Sequence, residues 1–424
     1  MNSFLNLYSL KPKCTIHLIL LSIFVYILGE FLIYNVNEIL GWGFRAIGGI
    51  LFVWLLFVKA KHIPFKGFSL FLYILLVVDI VGITIHTFFF CDPILIGTSI
   101  NGKLRNILGV YFFLPSIMPL MLFLIPNNRN SIEIKYFVRL MLVLAISYLL
   151  FFPFAFTSMI DFELDKTAKE WGEKGGYGDF IMHSTLHIAV LATPALLFFF
   201  HRYLPKRKWL LFLFVSISSV FMAAYMARRG RTVTELSYLV AAYLLYFFYD
   251  KKLSKLTLFF LGAAFVIGLY YFVIGSQDTL FSLLYERIDY DTRSAVEESF
   301  FLDMDKQSWV WGRGWFGCYY DYGLGTPRPY IETGYLALIL RGGLIYLVLY
   351  VSLLLFSGLR GLFLSRSIFV KSFSLVILLS IVELYPWGWP QFNFKFYAIW
   401  LGVYICNTKL YLKMSDRQIM SLFK

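Results

Sequence analysis

Charge is scarce in this chain, and cysteine is scarcer. Charged residues make up 15% of its 424 positions, against about 25% in soluble domains. That shortage excludes an ordinary soluble fold. The four cysteines, Cys14, Cys91, Cys318 and Cys406, lie far apart and form no CxxC pair, so neither a disulfide framework nor a zinc site reads from them. There is no GxxxxGK phosphate loop, no GxGxxG following a strand, and no internal repeat. The short "GRGWFG" has too few features to stand as a nucleotide motif. The start, "MNSFLNLYSLKPKCTIHLILLSIF", has a basic flank and an apolar run but no small-residue cleavage site. It therefore reads as a retained first helix.

Apolar surface is what the chain has in abundance. Hydrophobic residues reach 59% and aromatics 20%, with a mean hydropathy of +0.72. Long apolar runs fall near 16–34, 43–58, 67–89, 107–125, 136–158, 180–200, 209–227, 232–249, 256–275, 333–356, 368–385 and 392–410. Runs of this length without alternation predict about twelve membrane-spanning helices rather than barrel strands. The expected fold is an all-α integral membrane protein, a single polytopic domain over 1–424.

Basic residues in alternate connections set the expected orientation. One set comprises Lys11 and Lys13, "KAKHIPFK", "NNRNSIEIK", "HRYLPKRK", "DKKLSK", "RGLFLSRSIFVK" and the tail with Lys409, Lys413 and Arg417. Every member is basic, which places this set and both termini in the cytoplasm. The same bias accounts for most of the formal charge of +13, so nucleic acid is not an expected partner. The opposite set holds "NVNEILGW", the acidic "DFELDKTAKEWGEKGGYGD" and a large loop over 276–331 that packs on the bundle.

One turn violates the bias. "AYMARRGRTVTELSY" puts Arg228, Arg229 and Arg231 between helices seven and eight, on the outer side. Orientation does not explain an arginine cluster there, so it is a candidate binding group. Arginine presents a planar fork of donors that fits phosphate oxygens and stays charged.

The 276–331 loop carries Arg287, Arg293, Arg313 and Arg328 among many aromatics. Trp309, Trp311, Trp315 and Tyr330 offer flat faces for sugar rings; their alternative role is the interfacial belt or the loop's own core. Next comes "IETGYLALILRGGLIYLVLYVSLLLF". Glu332 stands at the mouth of helix ten, where it either caps the helix or acts as a base. Arg341 lies about 13 Å further in at the helical rise, and a charge at that depth needs a partner or a wet cavity. Asp79 in helix three and Glu383 in helix eleven also point to a wet cavity, or to an ion path. His183 and His187, at i,i+4 spacing, lack a third ligand, so no metal site is expected. No cofactor is implied.

Together, the arginine turn, "DTRSAVEESFFLDMDKQSWVWGRGWFG" and "ETGYLALILRGGLIYLVL" make the chain resemble the O-antigen polymerase and O-antigen ligase superfamily. The likeness is loose over the whole topology and closer over 226–240 and 286–350. It implies a bacterial inner-membrane glycosyltransferase, with a GT-C-like bundle and an active face toward the periplasm. The substrate implied is an undecaprenyl-diphosphate-linked glycan, used without nucleotide sugar or metal, with a chain-length regulator protein and membrane lipid as further partners. Catalysis then falls to Glu332 and Arg293, with Asp291 or Glu235 as alternative bases. Arg228, Arg229, Arg231, Arg313 and Arg341 would hold the diphosphate, and Trp309, Trp311, Trp315 and Tyr330 the sugar. Glu235 has a structural alternative, an i,i+4 pair with Arg231. Ligases commonly open the late helix with His-Asn; Glu332 stands here instead and favours polymerase over ligase. A flippase for lipid-linked sugars is the reading from another class.

Overall fold

A computed structural model describes residues 12–59, 63–90, 113–125, 132–164, 177–194, 197, 205–226, 228–249, 255–275, 293–385 and 390–423. Helices dominate these residues. In chain order they are α1 (Pro12–Asn35), α2 (Glu38–Lys59), α3 (Phe68–Phe90), α4 (Phe113–Ile117), α5 (Ile132–Leu164), α6 (Tyr177–Ala192), α7 (Lys206–Tyr225), α8 (Arg229–Tyr249) and α9 (Lys255–Gly275). Then follow α10 (Ser294–Asp303), α11 (Lys306–Trp311), α12 (Gly334–Leu364), α13 (Ile368–Glu383), α14 (Phe394–Asn407), α15 (Lys409–Lys413) and α16 (Asp416–Phe423).

Seven of these, in α1, α2, α3, α5, α7, α8 and α12, are long and apolar enough to cross a membrane. Their outward faces are greasy: Phe71, Ile74, Val78, Val81 and Ile85 of α3 are all exposed. Such a stripe is unfavourable in water and neutral in lipid, so the chain reads as an α-helical membrane protein. The run near 107–125 shows, over its described part, only α4 and a 3₁₀ turn, Met118–Phe123. Pro115 and Pro119 remove backbone donors there and prevent a long helix.

The described residues form two compact units. In the second, built from 137–291, α7 packs against α6 and α8. Its core joins Ala155, Met182, Leu186, Met222 and Ala223. In the first, built from residues up to 136 and from 292 onward, α1 and α2 form a close hairpin. Buried Arg45 of α2 pairs with Glu30 of α1 and lies over the Tyr26 and Trp42 rings. α12 is the hub of this unit and packs on α3, α11, α13 and α14.

Candidate functional site

The residues between 293 and 333 fold into a small layer of their own. Arg293 precedes α10, Asp305 caps α11 by accepting from the Ser308 amide (2.7 Å), and Gly312 ends α11 with φ 72°. An antiparallel ribbon follows, β1 (Tyr319–Asp321) on β2 (Thr326–Arg328). Asp321 ties its turn by accepting from Gly323, Leu324 and, at 3.1 Å, Arg328. Phe300, Met304, Tyr319 and Ile331 make the core of this layer together with Leu336, Ala337, Ile339 and Leu340 of α12. Burial raises the Asp321 carboxyl, but the Arg328 guanidinium and the two backbone amides outweigh it and hold it below the usual carboxylate range. The Ser308 hydroxyl and amide likewise hold Asp305 low.

The layer is locked to α12 through backbone. α12 is interrupted at Gly343, where φ is 68° and ψ −171°. A helix break frees carbonyls that would otherwise accept from the following turn. Two of them are occupied from the layer: Arg313 N–H donates to Leu340 O (2.7 Å) and Gly314 N–H to Arg341 O (2.9 Å). A Cβ at Gly343 would lie 2.0 Å from Val310 O, and one at Gly312 would lie 2.4 Å from Arg341 O. The G-x-G and G-G of the sequence are thus two faces of one backbone contact.

Beside this lock lies a cleft of about 940 Å³. Its α3 wall presents Leu75, Val78, Asp79, Gly82, Ile83 and His86, one helical face; Ile345 and Leu349 of α12 also line it. Asp305, Gln307, Ser308, Trp311 and Arg313 line it from the layer. Asp79 Oδ2 is shielded from solvent and has no hydrogen-bond partner among the described residues. Nearby, Tyr346 shares a hydrogen bond with Ser116 and lies within electrostatic reach of both Asp79 and Arg341. The sequence pointed to Asp79 but not to His86; the available signal was its position seven residues on, on the same face.

The structure sorts the other candidates. Arg293 and Glu332 come together, Nε to Oε2 3.5 Å, both accessible to solvent. Glu332 is not the cap of α12. Thr333 holds that position, and its hydroxyl donates to Glu297. Arg313 is engaged inside the layer, with Asp303, Ser308 (3.2 Å) and Cys318 O (2.7 Å). Arg341 is buried within the first half of α12. Trp309 stacks on Phe301 and meets Phe300 edge-on, in the layer's core. Trp315 is buried and wedged onto α3, its amide donating to Thr87 Oγ1 (2.8 Å) and its Nε1 to Thr84 Oγ1 (3.0 Å). Trp311 and Tyr330 are exposed; Arg328 lies 4.8 Å over the Tyr330 ring.

Glu383 is buried at the end of α13 and pairs with Lys395. In the second unit, Arg228 N–H closes the end of α7 on Ala223 O (2.8 Å), leaving the Arg228 side chain exposed and Arg229 and Arg231 half-buried. Arg231 is within electrostatic reach of Arg228 and of buried Glu235, which accepts from the Thr193 hydroxyl. Arg287 and Asp291, the first part of the 276–331 loop, and the His183 side chain lie outside the described residues.

Comparison of the chain with protein-family models, curated proteins and solved structures finds no match in any of the three.

Proposed function

We propose that this protein is a membrane glycosyltransferase of the polymerase type. It would join undecaprenyl-diphosphate-linked oligosaccharide repeats on the periplasmic face of a bacterial inner membrane, for O-antigen, capsule or exopolysaccharide. The fuller architecture belongs to this proposal: about twelve spans, cytoplasmic termini, and the 276–331 loop outside. The observation that carries it is the Arg293–Glu332 pair at the entrance to α12, a guanidinium and a carboxylate side by side and open to solvent, chemically suited to hold phosphate and to take a proton.

In the proposed reaction an acceptor hydroxyl gives its proton to Glu332. Its oxygen bonds to the anomeric carbon of the donor sugar as the bond to the diphosphate breaks. The bonding pair leaves on the diphosphate, whose charge Arg293 stabilises. For Arg228, Arg229 and Arg231 of the other unit a phosphate-binding role is proposed from their chemistry alone. Fixed cations aimed at a developing charge carry most of such a barrier change, and the base adds about 10²–10⁴-fold. Trp311 and Tyr330, exposed, are proposed to bear on sugar.

The test is complementation of a deletion strain, with surface glycan resolved by size. Glu332→Gln should leave single repeats on the surface acceptor. Arg293→Lys and Arg229→Lys should shorten or abolish polymer at normal protein levels. Full polymer from all three variants would remove the proposal. One observation favours a second reading: α12 is broken and Asp79 sits halfway along α3, features of carriers as well. A flippase would make the deletion trap repeats inside the cell, and a ligase would make it accumulate polymer on the carrier lipid.

A further inference from the structure

The Asp79 cleft is distinct in chemistry from the arginine groups assigned to the diphosphate. Of its charged lining groups among the described residues, Asp79 and Asp305 are acidic, and the cation Arg313 is paired with Asp303. An anionic head group is therefore repelled here. A small metal ion is poorly served, since hard cations take six or more oxygens and no cluster of three His, Cys, Asp or Glu side chains occurs among the described residues.

What the cleft does present is a set of acceptors at different depths. Asp79 stands halfway along α3, and His86 follows about 10 Å higher at the helical rise. Asp305 and Ser308 line the end formed by the layer. Asp79 Oδ2, buried and without a hydrogen-bond partner among the described residues, is costly unless a ligand or solvent donates to it. Trp311, 60% exposed, offers a flat face at the rim. Leu75, Val78, Ile345 and Leu349 add an apolar stretch of wall. Val78 is itself open on the outward face of its helix, so an aliphatic chain can run from the cleft along that face.

We infer that this cleft binds the uncharged, hydroxyl-rich head of an amphiphile: a sugar bearing an aliphatic chain. Its hydroxyls donate to Asp79 and Asp305, one ring face rests on Trp311, and the chain follows Leu75, Val78 and Leu349. Several donors spread along a length match these acceptors better than a single ammonium does. The inference concerns binding only; it shares Trp311 with the proposed glycan transfer, and its crosslinking readout is separate from the complementation that tests that proposal.

The experiment uses the full chain in lipid nanodiscs and an alkyl glucoside carrying a photoactivatable diazirine in its chain. Crosslinks should map to peptides containing 75–86 and 345–349. Octyl glucoside should compete, and an alkyl trimethylammonium of equal chain length should not. Asp79→Leu, which leaves the wall filled, should weaken labelling about tenfold or more, the loss of a charge-assisted hydrogen bond. Asp79→Asn should keep most of it, and Trp311→Ala should weaken it severalfold, with melting temperatures near that of the parent. Labelling unchanged in Asp79→Leu and Trp311→Ala would overturn the inference. So would crosslinks elsewhere, or equal competition by the alkylammonium.

Discussion

Two arginines of the inter-helix layer show how one residue type divides between an enclosed set of hydrogen bonds and an open ion pair. Arg313 is partly buried and engages Asp303, Ser308 and Cys318 O. Arg313→Lys cannot reproduce that fork and should cost about 2–3 kcal/mol, read as a melting-temperature drop of several degrees. Arg293 lies in an open pair with Glu332, worth ~0–1 kcal/mol as a surface ion pair. Arg293→Lys should therefore leave the melting temperature nearly unchanged while polymer synthesis falls. Asp321 gives the pH dependence. Its carboxyl is held below the usual range in the fold, so it contributes stability above the ordinary carboxylate pKa and loses it as pH falls through the lowered value. Thermal stability of the parent should decline on acidification, and Asp321→Asn should flatten that limb of the curve.

The element that organises this unit is a helix that does not continue. Gly343 and Gly312 sit at φ 68° and 72° with ψ near ±180°, a region essentially limited to glycine and costing other residues about 1–3 kcal/mol. Their Cα atoms also abut backbone of the opposite element, which cannot rotate aside as a side chain can. Gly343→Ala or Gly312→Ala should destabilise by ~3 kcal/mol or more and release α11 from α12, visible as faster amide exchange at Arg313 and Gly314. Gly43 of α2 is the contrasting site, where an added methyl group would meet nothing within 4 Å. Gly43→Ala should be neutral or stabilise by about 0.5–1 kcal/mol through helix propensity.

At the scale of the whole molecule, lysine and arginine in the connections give a definite expectation of sidedness. Single cysteines placed in a background lacking Cys14, Cys91, Cys318 and Cys406 should react with a membrane-impermeant maleimide at Tyr330 or Gly323 from the outer side. They should react at Lys66 or Arg417 only after the membrane is opened. Labelling of Lys66 in intact cells would invert the topology and with it the proposed site of glycan transfer.

Composition and run length alone determine that this chain is helical and apolar enough to live in a membrane, because hydropathy over about 20 residues is a local property that no partner can alter. Sequence also marked the residues worth watching: arginines in an apolar context, Asp79, the G-x-G and the G-G. Tertiary structure decided what these touch. Only packing brought Arg293 to Glu332, set Trp315 as a buried wedge on α3, and turned two glycine motifs into one backbone lock. It also placed His86 with Asp79 on a shared cleft. Those outcomes depend on contacts between separate elements, in the case of Trp315 and Thr87 between positions 228 residues apart. Local pattern carries no record of such distances, whereas a freed carbonyl or a buried carboxylate must be satisfied by whatever the fold brings near.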